Sequence, residues 1–266
     1  MIKFRALFRF SVVLGGLFLS PLLACAADKI KVGVTTGPHA QMLAVVQQVA
    51  AKEPNGLAIQ IIEFSDFVQP NAALAAGDLN ANSFQHLPYL IAQNKDRNYS
   101  LISVANTVTF PLGIYSARLK SLSELKPGAK IALPNDPSNG SRALLLLQKQ
   151  GLIKLRAGVE LVTPLDITDN PKKLKFIELD AAQIPRVLKD VDAAAINTDF
   201  AMQAKLTPTR DAIAIEDPKG PYANIIAVRA SDQNKPWVAK LISAYHSPEV
   251  KQYIESHFKG EALVAW

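Results

Sequence analysis

The chain has 266 residues, 29 Lys and Arg against 23 Asp and Glu, and a single cysteine. Three of the basic residues (Lys3, Arg5 and Arg9) lie in the first 27 positions, which contain no acid, so the remainder carries 26 against 23, or +3. So mild a balance excludes any charge argument for nucleic acid or an acidic polymer as partner, and one cysteine excludes an internal disulfide.

Residues 1–27 read as an export signal. The basic start is followed by an apolar run from Phe10 to Leu23 and by the small residues Ala24-Cys25-Ala26-Ala27, a run too short for a comfortable transmembrane span. Two processing routes are open. Leu22-Leu23-Ala24-Cys25 resembles a lipobox, which makes Cys25 a lipidated mature N-terminus. Ordinary cleavage near Ala26 or Ala27 instead releases a soluble protein. Either route places the protein in the periplasm, anchored to the membrane through Cys25 in the first case.

After the signal, strand-like and helix-like segments alternate. Ile30 to Val34 is extended, Ala40 to Lys52 has helical apolar spacing, and Leu57 to Phe64 is rich in β-formers. Ala72 to Ala76 and Leu87 to Asn94 read as helices, and Val108 to Tyr115 as an apolar run interrupted by Pro111 and Gly113. The alternation then restarts: strand Lys130 to Leu133, a helix from Ser138 or Asn139, strand Leu174 to Leu179, a helical piece Ala181 to Leu188, and strand Ala193 to Ile196. Asn224 to Val228 is a last apolar strand before two helices on either side of Ser247-Pro248. Two rounds of alternation without a flexible linker argue for α/β layers in two lobes. The expected division is 28–110 plus 228–266 for lobe 1 and 111–227 for lobe 2, with Val108–Tyr115 and Asn224–Val228 as the crossings.

The stretch with the clearest chemistry is Leu133-Pro-Asn-Asp-Pro-Ser-Asn-Gly-Ser-Arg142. A strand, a turn and a helix start bring Arg142 toward the first helical turn, where the helix dipole disfavours a cation unless an anion sits between them. A surface arginine paired with a nearby acid is an equal reading of the same residues. Phe67, Phe84, His86, Tyr89, Asn197 and Asn224 stand near predicted strand ends, where α/β folds bind ligands. Taken singly, the aromatics also suit a core, His86 a structural hydrogen bond, and the asparagines turns or caps. An enzymatic reading has little to rest on. There is no phosphate loop, no Gly-x-Ser-x-Gly and no His-Glu-x-x-His, and His39, His86, His246 and His257 lack metal-ligand spacing. No cofactor and no metal is expected.

Together, Gly37-Pro-His39, Phe64-Ser-Asp-Phe-Val-Gln-Pro-Asn71, Asn82-Ser-Phe-Gln-His-Leu-Pro-Tyr89, Leu133 to Leu155, Ala195-Ile-Asn197 and Pro221-Tyr-Ala-Asn224 resemble the NlpA-type methionine-binding lipoproteins, substrate-binding subunits of methionine ABC importers. The matches run in order through nearly all of the exported chain. The resemblance implies a two-lobed periplasmic-binding-protein fold (type II-like) with the ligand in the cleft. It also implies a membrane permease as partner and no enzymatic activity. By the same resemblance, Arg142 holds an amino acid's carboxylate, Asn197 and Asn224 its backbone groups, and Phe84, His86, Tyr89 and Phe67 wall its side chain. Family members often carry Tyr at the position of Phe67. The ligand is expected to be methionine (L or D) or a related apolar amino acid, and the protein a monomer. An extracytoplasmic hydrolase or dehydratase on the same fold is the alternative.

The export reading predicts a mature protein that begins at Cys25 with lipid, or at Ala27 or Asp28 without it. Intact mass of the protein recovered from cells distinguishes them, and a cytoplasmic product that retains Met1 contradicts both.

Overall fold

The computed structural model describes residues 28–52 and 56–266; the export signal and Cys25 lie outside them. The first round of alternation forms β1 (Asp28–Thr35), α1 (Pro38–Lys52), β2 (Leu57–Phe64), α2 (Gln69–Ala76), β3 (Ala81–His86), α3 (Leu87–Arg97) and β4 (Leu101–Thr109). The chain then builds β5 (Gly113–Tyr115), β6 (Lys130–Pro134), α4 (Pro137–Lys149), the short hairpin strands β7 (Lys154–Leu155) and β8 (Ile167–Asp169), and β9 (Lys175–Leu179). These are followed by β10 (Ala193–Ile196), α5 (Thr198–Gln203), α6 (Pro208–Asp211) and β11 (Ala212–Ile215). It returns through β12 (Ala223–Arg229), α7 (Pro236–Tyr245), α8 (Pro248–Phe258) and β13 (Leu263–Val264).

These strands make two main sheets, ordered β13-β4-β12-β3-β1-β2 and β11-β5-β10-β6-β9. In each, the parallel strands lie next to one another: β3-β1-β2 in the first and β10-β6-β9 in the second. Parallel strands connected by helices are covered on both faces, which is why Ala193–Ile196 is apolar throughout and fully buried. The first sheet packs Ile30, Val32 and Val34 against Met42, Leu43 and Val46 of α1, and Leu241, Ile254 and Phe258 of α7 and α8 complete that core. The second core gathers Leu133, Leu144, Leu146 and Leu147 around β6 and α4.

The structure departs from the sequence expectation at three places. Helix α4 is capped two to three residues earlier than expected, by Asp136, whose side chain accepts from the Asn139 N–H; Arg142 therefore stands in the second turn. Between Ala181 and Leu188 there is only a 3-10 turn, Ile184–Val187, because Pro185 has no N–H to propagate a helix. Strand β12 pairs with β3 and β4 along its length, so residues 223–227 belong to the first sheet and the return connection lies ahead of Ala223. A strand as apolar as Ile225 to Val228 is stable only with neighbours on both edges, and β3 and β4 supply them.

Gly140 lets α4 start against β6. A Cβ there would meet the Pro134 carbonyl oxygen at 2.8 Å, so a side chain would push the helix start off the strand that aims it.

The leucine run of α4 separates core from surface. Leu144 is fully buried, whereas Leu145 is 41% exposed. Leu144→Ala is expected to cost about 2–5 kcal/mol of stability, and Leu145→Ala about 0.5 kcal/mol or less. Urea unfolding of the two variants checks the assignment.

Candidate functional site

Between the sheets lies a cavity with about 360 Å³ of empty space, its mouth included. Phe67, Phe84, His86, Tyr89 and Asn224 reach it from the first lobe, and Arg142 and Asn197 from the second. All seven residues singled out in the sequence thus line one cavity. All but Arg142, in the second turn of α4, sit at or near the end or start of an element. Phe84 and His86 close β3, Asn224 opens β12 opposite His86, and Asn197 follows β10 as the N-cap position of α5.

One wall is aromatic. Phe67 packs on Phe84 at 5.9 Å, on Tyr89 at 6.1 Å and on Phe200 of α5 at 4.7 Å between ring centres. Phe67 belongs to the connection between β2 and α2, yet it also packs on the second lobe's core. The Tyr89 hydroxyl donates to the Phe67 carbonyl at 2.9 Å, which anchors that connection. Such a wall suits an unbranched apolar side chain, and a thioether sulfur packs well on ring edges.

The polar side is a relay whose proton positions follow from its two ends. Asn139 Nδ2 donates to the Asp136 carboxylate at 3.0 and 3.2 Å, so its Oδ1 faces the other way. That oxygen accepts from Asn197 Nδ2 at 2.9 Å and lies 3.2 Å from His86 Nε2. His86 is also the N-cap of α3, and its Nδ1 accepts from the Tyr89 N–H at 3.2 Å. The ring proton therefore sits on Nε2 and is donated to Asn139. With its amide nitrogen committed, Asn197 presents Oδ1 as a buried acceptor that no group among the described residues satisfies. Burial raises the pKa of Asp136, and its hydrogen bonds from Asn139 and Ser138 oppose that shift.

Arg142 is held more tightly than the sequence suggested. Its Nε donates to Glu216 Oε1 and Oε2 at 2.9 and 3.0 Å, and its Nη2 to Glu216 Oε2 and to the Phe110 carbonyl, the latter at 2.8 Å. Tyr222 covers the guanidinium with its ring centre 4.2 Å away. Both readings of this arginine are therefore partly realised: it is paired with an acid, and it lines the cavity. The helix start itself is already served by Asp136, so the dipole argument applies to that carboxylate and not to a ligand.

Asp199 also lines the cavity; its Oδ2 lies 3.5 Å from His39 Nε2 and accepts from the Thr35 hydroxyl at 3.4 Å. Both groups are buried. Burial lowers the pKa of His39 and raises that of Asp199, with their mutual attraction opposing both shifts. The contact joins the start of α1 to α5 and thus one lobe to the other.

A family model described as NlpA lipoprotein matches residues 30–266. The chain belongs to this family. Among curated relatives of this NlpA-family chain, the D-methionine-binding lipoprotein MetQ of Salmonella typhi is 46% identical over 272 residues, covering 99% of both chains. The protein of the same name from Escherichia coli (strain K12) is 45% identical over 272 residues, again covering 99% of each. A nutrient-binding protein from Burkholderia cenocepacia, solved bound to methionine, is 57% identical, with a TM-score of 0.87 over 89% of this chain and 100% of its own. A periplasmic substrate-binding protein of an ABC transporter from Coxiella burnetii is 50% identical, with a TM-score of 0.86 over the same shares. The two-lobed periplasmic-binding-protein fold of the NlpA family is the fold of this chain.

Several residues at this NlpA-family cavity escaped the sequence reading. Asn139 lay inside the singled-out motif but was read only as a helix cap. Asp199 sits two residues beyond Asn197, where an acid in a first helical turn has an ordinary explanation. Glu216 and Tyr222 lie in a polar connection with no periodic signal, and only the approach of β11 to β5 brings Glu216 to Arg142.

Burial, and next the nearby Arg142 cation, push the pKa of His86 down to about 3. The folded pKa is depressed, so below pH 6.5 the unfolded chain takes up a proton that the folded one refuses. The contribution of His86 to stability is complete above pH 6.5 and is lost as pH falls toward about 3, by up to about 1.4 kcal/mol per unit. Relative to His86→Asn, the wild type is expected to lose about 2 kcal/mol more between pH 7 and pH 5. Denaturant titrations at both values measure it, and equal losses rule it out.

Proposed function

We propose that this chain is an extracytoplasmic substrate-binding protein of an ABC importer, and that its cavity takes methionine (L or D) or a closely related apolar amino acid. The observation that carries this reading is the pairing of two unsatisfied groups of opposite character in one cavity. Arg142 spends Nε and Nη2 on Glu216 and the Phe110 carbonyl, which leaves Nη1 as the donor for a ligand, and Asn197 Oδ1 is a buried acceptor without a donor among the described residues. A carboxylate answers the first and an ammonium the second, and one zwitterion carries both. The aromatic wall then receives the side chain.

In this reading Arg142 binds the carboxylate, Asn197 and Asn224 hold the backbone polar groups, and His86 with Phe67, Phe84 and Tyr89 surrounds the side chain. Cross-lobe contacts such as His86 to Asn139 and Phe67 to Phe200 belong to a closed arrangement, which a bound ligand favours and a membrane permease can recognise. The names of the relatives support methionine as ligand and an ABC transporter as partner. A lipid anchor at Cys25 and a monomeric state complete the proposal. The hydrolase or dehydratase alternative finds no support in relatives named for binding.

Two measurements test the function. Mass spectrometry of material co-purified with the protein should find methionine or a close analogue, and calorimetry should show saturable binding of the L or D isomer. Ligand recovered chemically altered after long incubation returns the enzymatic reading. Asn197→Ala and Asn224→Ala should each weaken binding by about 1–3 kcal/mol without lowering the melting temperature of the ligand-free protein. Arg142→Ala should weaken binding by about 2–5 kcal/mol. Unlike the asparagine changes, it should also destabilise the fold, because Glu216 loses its partner in a buried setting. Unchanged affinity in all three variants rejects these residues as the head-group site.

A further inference from the structure

Glu216 meets Arg142 behind the cavity wall and is itself fixed. Its backbone N–H donates to the Leu112 carbonyl at 2.9 Å, and its Oε2 accepts from the Leu112 N–H at 3.2 Å. The carboxylate occupies the Nε–Nη2 edge of the guanidinium, the edge that matches a carboxylate in a two-bond fork. Tyr222 covers one face and the Phe110 carbonyl takes a further Nη2 proton. What remains for an incoming acceptor is Nη1. The side chains of Arg142 and Glu216 are only 4% and 13% exposed, so solvent does little to screen the pair.

We infer that Glu216 is a specificity-determining residue: by neutralising Arg142 and occupying its forked edge, it makes the cavity accept a zwitterion and reject a simple carboxylate. This rests on the reading of the cavity as an amino-acid site. Among the described residues lining it, Arg142 is the one lysine or arginine, and its charge is already met. Asp199, which lines the cavity, is engaged with His39 and Thr35, and Asp136 behind it with Asn139 and Ser138, so neither adds a cation to meet an incoming anion. An anion lacking an ammonium therefore brings an uncompensated charge into a buried space, which is costly. An amino acid brings its own cation and places it on Asn197 Oδ1. Without Glu216 the cavity would hold a bare guanidinium with its whole fork free, and any carboxylate with an apolar tail would suit it.

The test is calorimetry on ligand-free protein with two probes: methionine, and its desamino analogue, which keeps the carboxylate and thioether and lacks the ammonium. The wild type should prefer methionine. Glu216→Gln should shrink that preference by about tenfold or more, chiefly by improved binding of the desamino acid. Glu216→Asp, which keeps the charge but shortens the reach, should weaken both probes and preserve their ratio. If Glu216→Gln lowers both affinities equally, or leaves both unchanged, Glu216 is structural and the inference is overturned. Equal binding of the two probes by the wild type overturns it without any variant. Should Glu216→Gln fail to fold, Glu216→Ser takes its place under the same criterion, a smaller preference for methionine supporting the inference and an unchanged one overturning it. A wild type that binds no methionine fails the functional reading itself, and is distinct from a methionine binder whose selectivity ignores Glu216.

Discussion

A guanidinium buried between two lobes must be paired, and the Arg142–Glu216 contact meets that constraint at the point where the chain crosses from one sheet to the other. Arg142 comes from α4 and Glu216 from just beyond β11. Their further partners, the Phe110 carbonyl for Arg142 and the Leu112 N–H for Glu216, belong to the crossing itself. The pair therefore ties the cavity wall to the crossing, and moving any one of these segments would strand a charge in a poorly solvated place. The position of α4 depends on it, as does the face that Arg142 turns toward the cavity.

A second, uncharged device works alongside it. Two helix N-terminal positions, Asp136 before α4 and His86 before α3, meet through Asn139. Each cap satisfies its own helix, and in doing so each fixes the orientation of its side chain. Asp136 accepts only, so Asn139 must turn its oxygen outward; His86 spends Nδ1 on Tyr89, so its proton must sit on Nε2. Asn197 is oriented by the same logic and keeps one oxygen unspent. Local capping in two lobes thus prearranges a hydrogen-bond pattern across the space between them, which lowers the ordering cost of binding.

The topology explains why these ends converge. In each sheet the parallel strands finish toward the cleft, β3 at His86 and β10 at Ile196, with Asn197 next in the chain. Helix starts follow those ends and carry N–H groups and capping side chains to the same place. Strand β12, running antiparallel beside β3, sets Asn224 opposite His86. Phe67 from the connection after β2, Phe84 from β3 and Tyr89 from the first turn of α3 then close the apolar side.

Much of this was legible in the chain itself. The alternation of apolar strands and amphipathic helices, with Gly and Pro at their borders, decided the α/β class and two rounds of structure, since periodicity and turn chemistry are local properties. Phe67, Phe84, His86, Tyr89, Asn197 and Asn224 became candidates by lying near strand ends and Arg142 by its helix start, but it was the resemblance of their motifs to the NlpA family that gave them a common site. The tertiary structure decided where the lobes divide, since β12 was drawn into the first sheet by its need for two hydrogen-bonded neighbours. It also decided the state of Arg142, whose partner lies 74 residues away, and the roles of Asn139 and Asp199, which rest on contacts with His86 and His39. Local sequence carries the preferences of the backbone and the identity of each polar group. Which buried charge meets which depends on distances closed only when the two sheets come together.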